Sequence, residues 1–206
     1  KEGIRNSGNF LEVFELFHKN QNYFGLIDFS EGVLPFSRNS IAETENIFRI
    51  EEEKKFSAVF IDGAKSWYGL KYFMKETVPH TEEGSYYIFQ DFGARTCFWI
   101  PVFIERFKDI FEFTAFVDDT YTFKLLRKIT LEEIDKRFPD NVEDFSASDY
   151  EMIFRNLMAN AINIKDMHSY LILQLQYAAA LSYIGEHEKG RNLIIDLLKT
   201  PFGRKY

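Results

Sequence analysis

Asp62, Lys65 and Asp91 are the residues whose types and spacing could do chemistry. The run Ser57-Ala-Val-Phe-Ile-Asp-Gly63 is short, apolar and closes on an acid, and Lys65 follows three residues after that acid. One helix length later, Gly84-Ser-Tyr-Tyr-Ile-Phe-Gln-Asp91 repeats the pattern. A parallel β-α-β unit has this layout and delivers both carboxylates to the carboxyl edge of its sheet, where open α/β folds bind ligands. The spacing predicts a site of the nucleotide-cofactor type. The plain rival is that Asp28, Asp62 and Asp91 cap the helices after their strands, because Asp is favoured there.

The elements that must position these residues can be read along the chain. Residues 9–18 carry apolar side chains at 10, 11, 13, 14 and 17, a helical face. Residues 23–28 form an apolar run ending in Asp28, a buried strand, and 32–36 form a second brief run. Residues 41–55 read as a charged, exposed helix. A strand at 57–62 leads to a helix at 67–77 with Trp67, Leu70, Phe73 and Met74 on one face. A strand at 85–90 and a helix at 101–111, started by Pro101, follow. Strands at 112–117 and 121–126, split by Asp118-Asp-Thr120, predict a hairpin. After Thr130 only helical patterns remain, at 131–137, 148–163 and 166–201. The last is a helical hairpin, with Gly185 ending its first helix and Ala178 and Gly190 allowing close approach. The reading is an α/β domain over 1–130 and a helical extension over 131–206.

Composition narrows the function. At 206 residues the chain holds one domain, or one domain with a helical appendage. A net charge of −7 argues against a general nucleic-acid binder, which would show a basic face. The 23 Phe and 11 Tyr read as core and interface material. The single Cys97 excludes an internal disulfide framework and a Cys-based zinc site, and its aromatic neighbours predict a buried, inert thiol. His18, His80, His168 and His187 have no ligand spacing. No run approaches the roughly 20 apolar residues that span a membrane, which predicts a cytoplasmic protein without a membrane partner. Opening on Lys1 in turn-like sequence, the chain reads as beginning inside a fold.

Residues 59–69 (Val-Phe-Ile-Asp-Gly-Ala-Lys-Ser-Trp-Tyr-Gly) and 84–92 (Gly-Ser-Tyr-Tyr-Ile-Phe-Gln-Asp-Phe) resemble the fourth and fifth strand motifs of class I S-adenosylmethionine-dependent methyltransferases of the small bacterial kind. The hairpin at 112–126 is similar to the reversed sixth and seventh strands of that fold. The resemblance covers about residues 56–128 and implies a Rossmann-like sheet with its first strand cut off. It also implies S-adenosylmethionine as cofactor and a hydroxyl on a small molecule or sugar as acceptor. Gly3 would be the tail of the glycine-rich turn, Asp28 would hold the ribose hydroxyls, and Asn39 and Ser40 would sit near the adenine. Asp62, Lys65 and Asp91 would line the reaction centre and carry its acid–base work. Here the sequence departs from the family, which commonly has His where Lys65 and Gln90 stand. Between Asp28 and Gly32 there is also no room for a crossover helix.

The motif is similar, too, to metal-dependent O-methyltransferases, in which two strand-end acids and an Asn hold a divalent cation. Phe92 takes the place of that Asn, leaving too few oxygen ligands, so no metal is assigned. Residues 171–201 resemble one tetratricopeptide-like repeat through Ala178, Gly185, Gly190, Ile194, Leu197 and Pro201. A second function stays open on these grounds: a methyltransferase-like module that no longer catalyses and binds a protein through its helical region.

Overall fold

The computed structural model describes residues 32–50, 54–163 and 166–201. The chain forms two compact units, 1–32 and 33–206, and all the described strands and helices belong to the second. The strand expected at 23–28 and the helix at 9–18 lie outside the described residues.

Strand β1 (Ala58–Ile61) runs into helix α1 (Trp67–Thr77), which returns the chain to β2 (Tyr86–Phe89), parallel to β1 with Val59 opposite Tyr87. Helix α2 (Trp99–Arg106) leads to the hairpin of β3 (Phe111–Val117) and β4 (Thr120–Leu125). The fold is thus mixed α/β, with a four-stranded sheet ordered β1-β2-β4-β3. Strand β4 lies antiparallel to both β2 and β3, so the parallel pair is continued by a reversed strand. Helices α3 (Leu131–Arg137), α4 (Ala147–Asn163), α5 (Met167–Tyr183) and α6 (His187–Lys199) complete the order.

Local sequence explains most of these boundaries. The Ser66 hydroxyl accepts from Gly69 N and caps α1. Asp118 takes φ +56° in the two-residue hairpin turn, a conformation Asp tolerates better than most residues. Pro101 falls in the first turn of α2, where its missing N–H is not needed, and the helix starts two residues before it. Gly185, at φ +82°, closes α5: its N–H reaches Ser182 O, and the Glu186 N–H reaches Leu181 O.

Two expectations fail. Over residues 41–50 there is no helix beyond the end of a short turn at Asn39–Ile41. Asn46 sits at φ +50°, Phe48 stacks on Phe73 of α1 at 5.6 Å, and Ile50 N donates to Glu76, so tertiary contacts override a charged pattern with no apolar face. The run at 32–36 makes only a single parallel bridge, Val33 to Ile47. Pro35 has no N–H with which to extend a ladder.

The buried face of the sheet carries Val59, Ile61, Tyr87, Phe89, Tyr121, Phe123 and Leu125. Its core continues without a break into α4 and α5 through Tyr150, Phe154, Leu173 and Ala180. Aromatic rings dominate the centre. Trp67 stacks on Phe138 at 4.1 Å, meets Phe145 and Tyr150 edge-on and lies tilted against Phe98. On the opposite face Phe60 remains 58% exposed, where a fully covered parallel strand would bury it.

Candidate functional site

Because β1 and β2 are parallel neighbours in register, the residues after them emerge side by side at one sheet edge. Asp62 follows β1, and Gln90 and Asp91 follow β2, with Gln90 N bonded to Ile61 O to keep the two loops together. Lys65 lies in the first loop, folded back by a tight turn in which its N–H reaches Gly63 O at 2.8 Å. Its ammonium stands 3.4 Å from Asp62 Oδ1 and also pairs with Asp91 Oδ2. The structure thus brings together the three residues expected at the reaction centre. The Asp62 and Lys65 side chains are each 54% exposed and that of Asp91 19%, so Asp62 is the carboxylate open to an incoming group.

Neither acid caps a helix. Ser66 caps α1, and Phe98 stands at the N-cap of α2 without a side-chain bond. Asp91 instead adopts φ +62°, a left-handed backbone that non-glycine residues rarely occupy and that clusters at functional sites.

Each site loop is pinned by a buried side-chain N–H from elsewhere. Trp99 Nε1, at the start of α2, donates to Ala64 O at 2.9 Å and fixes the Asp62–Lys65 loop. Gln176 Nε2, on α5, donates to Phe92 O and Ala94 O, both at 2.8 Å, and fixes the loop after Asp91. Sequence reasoning missed both residues. The one signal for Gln176 was a polar residue inside the apolar run Leu171-Ile-Leu-Gln-Leu-Gln-Tyr177. Cys97 lies buried beside these loops, and burial pushes its thiol up despite the positive charge of Lys65.

Of the four other expected contacts, only Asn39 and Ser40 are among the described residues. Gly3 and Asp28 lie outside the described residues. Asn39 and Ser40 sit on the short turn before the Val33–Ile47 bridge is closed, and the Ser40 hydroxyl donates to Ser37 O at 2.8 Å. Neighbouring Arg38 and Ile41 line a polar cavity of about 650 Å³ with Tyr68, Lys71, Asp140 and Asn141. Buried Lys71 pairs there with Asp140 at 2.6 Å and Asp135 at 3.2 Å. Burial alone would raise the Asp140 carboxyl, but its bonds to Lys71 and Arg38 outweigh it and hold the group below the usual carboxylate range. No hydrogen bond or ion pair links this turn to Asp62, Lys65 or Asp91 among the described residues.

Among the described residues no group of three or more His, Cys, Asp and Glu is arranged to hold a metal ion. The positive charge between Asp62 and Asp91 is the Lys65 ammonium. No described helix is long and apolar enough to cross a membrane. Comparison with known proteins gives no matching family model, no match among curated proteins and none among solved structures.

Proposed function

We propose that the chain is an S-adenosylmethionine-dependent methyltransferase that acts on a hydroxyl of a small molecule or sugar. The observation that carries this reading is Lys65 held between Asp62 and Asp91 at the ends of adjacent parallel strands. Strand-end carboxylates at this edge suit a ligand, and both are free of any capping duty. The order β1-β2-β4-β3, with β4 reversed beside β2, supports a Rossmann-like methyltransferase sheet over a dehydrogenase-type sheet that stays parallel to its edge. The buried lone thiol is in keeping with a cytoplasmic protein.

When bound, S-adenosylmethionine would supply a methyl group on a sulfonium, an electrophile that needs alignment more than activation and that leaves as the neutral thioether S-adenosylhomocysteine. Asp62, the exposed carboxylate, would take the proton from the acceptor hydroxyl oxygen. Lys65, tethered by Asp91, orients that oxygen and balances the charge that develops on it. Asp28 would hold the ribose, Gly3 the amino-acid end, and Asn39 with Ser40 the adenine. Calorimetric titration with S-adenosylmethionine and S-adenosylhomocysteine, repeated on Asp28→Ala, tests the reading. Micromolar binding that disappears in the variant supports it, and no binding by folded protein rejects it.

A second reading has its own observation. Ile194 on α6 and Met152 and Ile162 on α4 are 40–52% exposed, as on a helical surface that meets a protein partner. A scaffold of this kind would bind no cofactor, so the same titration separates the two.

A further inference from the structure

Gln176 is fully buried, yet its Oε1 has no hydrogen-bond partner among the described residues. A leucine or methionine here would spare the orphan oxygen but leave the carbonyls of Phe92 and Ala94 without this donor, so the amide is held for its N–H groups. What the amide does is fork its two N–H groups onto the carbonyls of Phe92 and Ala94, the residues just beyond Asp91. Asp91 itself sits at φ +62°, a conformation uncommon even for Asp, so the backbone around it is specifically shaped.

A second grip comes from the same helix. The Phe92 ring stacks on Tyr121 at 4.3 Å, and the Tyr121 hydroxyl bonds to Ser169 and lies 3.5 Å from Asp166 Oδ2 at the N-terminus of α5. A third is the hairpin, where Gly93 N donates to Asp119 O at 3.1 Å. A Cβ on residue 93 would meet Asp119 backbone and side chain at 3.1 Å, so the loop and the hairpin turn are in close contact. Two of the three grips belong to a helix remote in sequence from the strands that carry the acids.

We propose that α5 is a positioning element of the candidate site, and that Gln176 fixes the backbone at 92–94 so that the Asp91 carboxylate is aimed at Lys65. Gln176 touches none of the three site residues and acts only through the loop. The catalytic consequence rests on the methyltransferase reading, whereas the clamp is a matter of geometry and can be tested without it.

The test uses the full chain with Gln176→Met, which removes both donors and keeps length and apolar volume. Lysines are labelled with an amine-reactive acetyl ester and followed by mass spectrometry, with Asp91→Asn as the reference for a released Lys65. Lys65 should label about fivefold faster than in wild type, the factor expected for loss of one exposed ion pair. Lys55 and Lys108, paired with Glu82 and Glu105, serve as controls and should not change. Amide exchange over 92–97 should accelerate about tenfold while β1 and β2 keep their protection. A folded Gln176→Met with wild-type labelling of Lys65 and wild-type exchange overturns the proposal.

If Gln176→Met does not fold, Tyr121→Phe loosens the second grip alone and should speed Lys65 labelling about twofold. No change there overturns the proposal equally. Titration of wild type with S-adenosylhomocysteine runs beside these measurements. Absence of binding rejects the methyltransferase reading and leaves the labelling result to decide the clamp. If binding is present, Gln176→Met should lose about tenfold or more in turnover with an unchanged cofactor Kd, a split that general destabilisation does not produce.

Discussion

Asp91 combines a left-handed backbone with a carboxylate aimed at Lys65. Asparagine shares the tolerance for that backbone, so Asp91→Asn removes the charge while leaving the loop its shape. Its unfolding free energy should stay within about 0.5 kcal/mol of wild type by urea denaturation, because the lost ion pair faces solvent through Lys65. Turnover under the proposed function should fall by up to about 100-fold, because Lys65 loses the tether that positions it. Glu133 offers a separate test. It forms a capping box with Thr130, and Arg127 grips both of its oxygens. Chiefly through the Arg127 hydrogen bonds, and against burial, the Glu133 carboxyl is held down at about 2. A carboxyl depressed in the folded state stabilises it above the ordinary value near 4.5 and loses that contribution as pH falls toward 2. Glu133→Gln, which retains the box, should cost about 0.5–1 kcal/mol at pH 7 and progressively less as pH falls from 4.5 through 2, checked by thermal melts across that range. Asp62, Lys65 and Asp91 were legible in the sequence because strand-end acids announce themselves locally. Trp99 and Gln176 were not, because their partners are backbone carbonyls of distant segments, and no side-chain pattern encodes those.

At the scale of elements, α5 and α6 form the most readily tested contact. Gly190 lies against the backbone of Ala178, and a Cβ there would come within 2.8 Å of Ala178 O. In an isolated helix Gly→Ala would gain about 1 kcal/mol. Between these helices the clash is with backbone, which cannot rotate aside, and overpacking costs about 1–3 kcal/mol. Gly190→Ala should therefore lower the urea midpoint at an unchanged m-value. The close approach at Ala178 and Gly190 could be read from small residues either side of a turn glycine. Helix α1 could be read from its apolar face, and the hairpin from turn formers between β-formers. Residues 41–50 misled because a charged stretch satisfies a helix pattern by default, while Phe48 and Ile50 are drawn to α1 by contacts that sequence spacing does not show.

For the whole molecule, the change from strands to helices near residue 130 is a change of element type within one continuous core. Phe98 meets Tyr150 of α4 and Tyr183 of α5, and Tyr150 donates to Val142 O at 2.9 Å. A chain ending at residue 146 would leave the α2 face of that core uncovered. It should lack a cooperative thermal transition in circular dichroism, where the full chain shows one. What the sequence could not convey was which layer the helices cover, since that depends on contacts between segments 80 residues and more apart in the chain, such as Gln176 with Phe92. Cys97 lies at this junction, 7% exposed, with its N–H bonded to Ala94 O. As the sole sulfhydryl in the chain it is a built-in clock. Its rate of reaction with a disulfide reagent, divided by that of an unstructured cysteine peptide, reads directly how often the seam between strands and helices parts in the native protein.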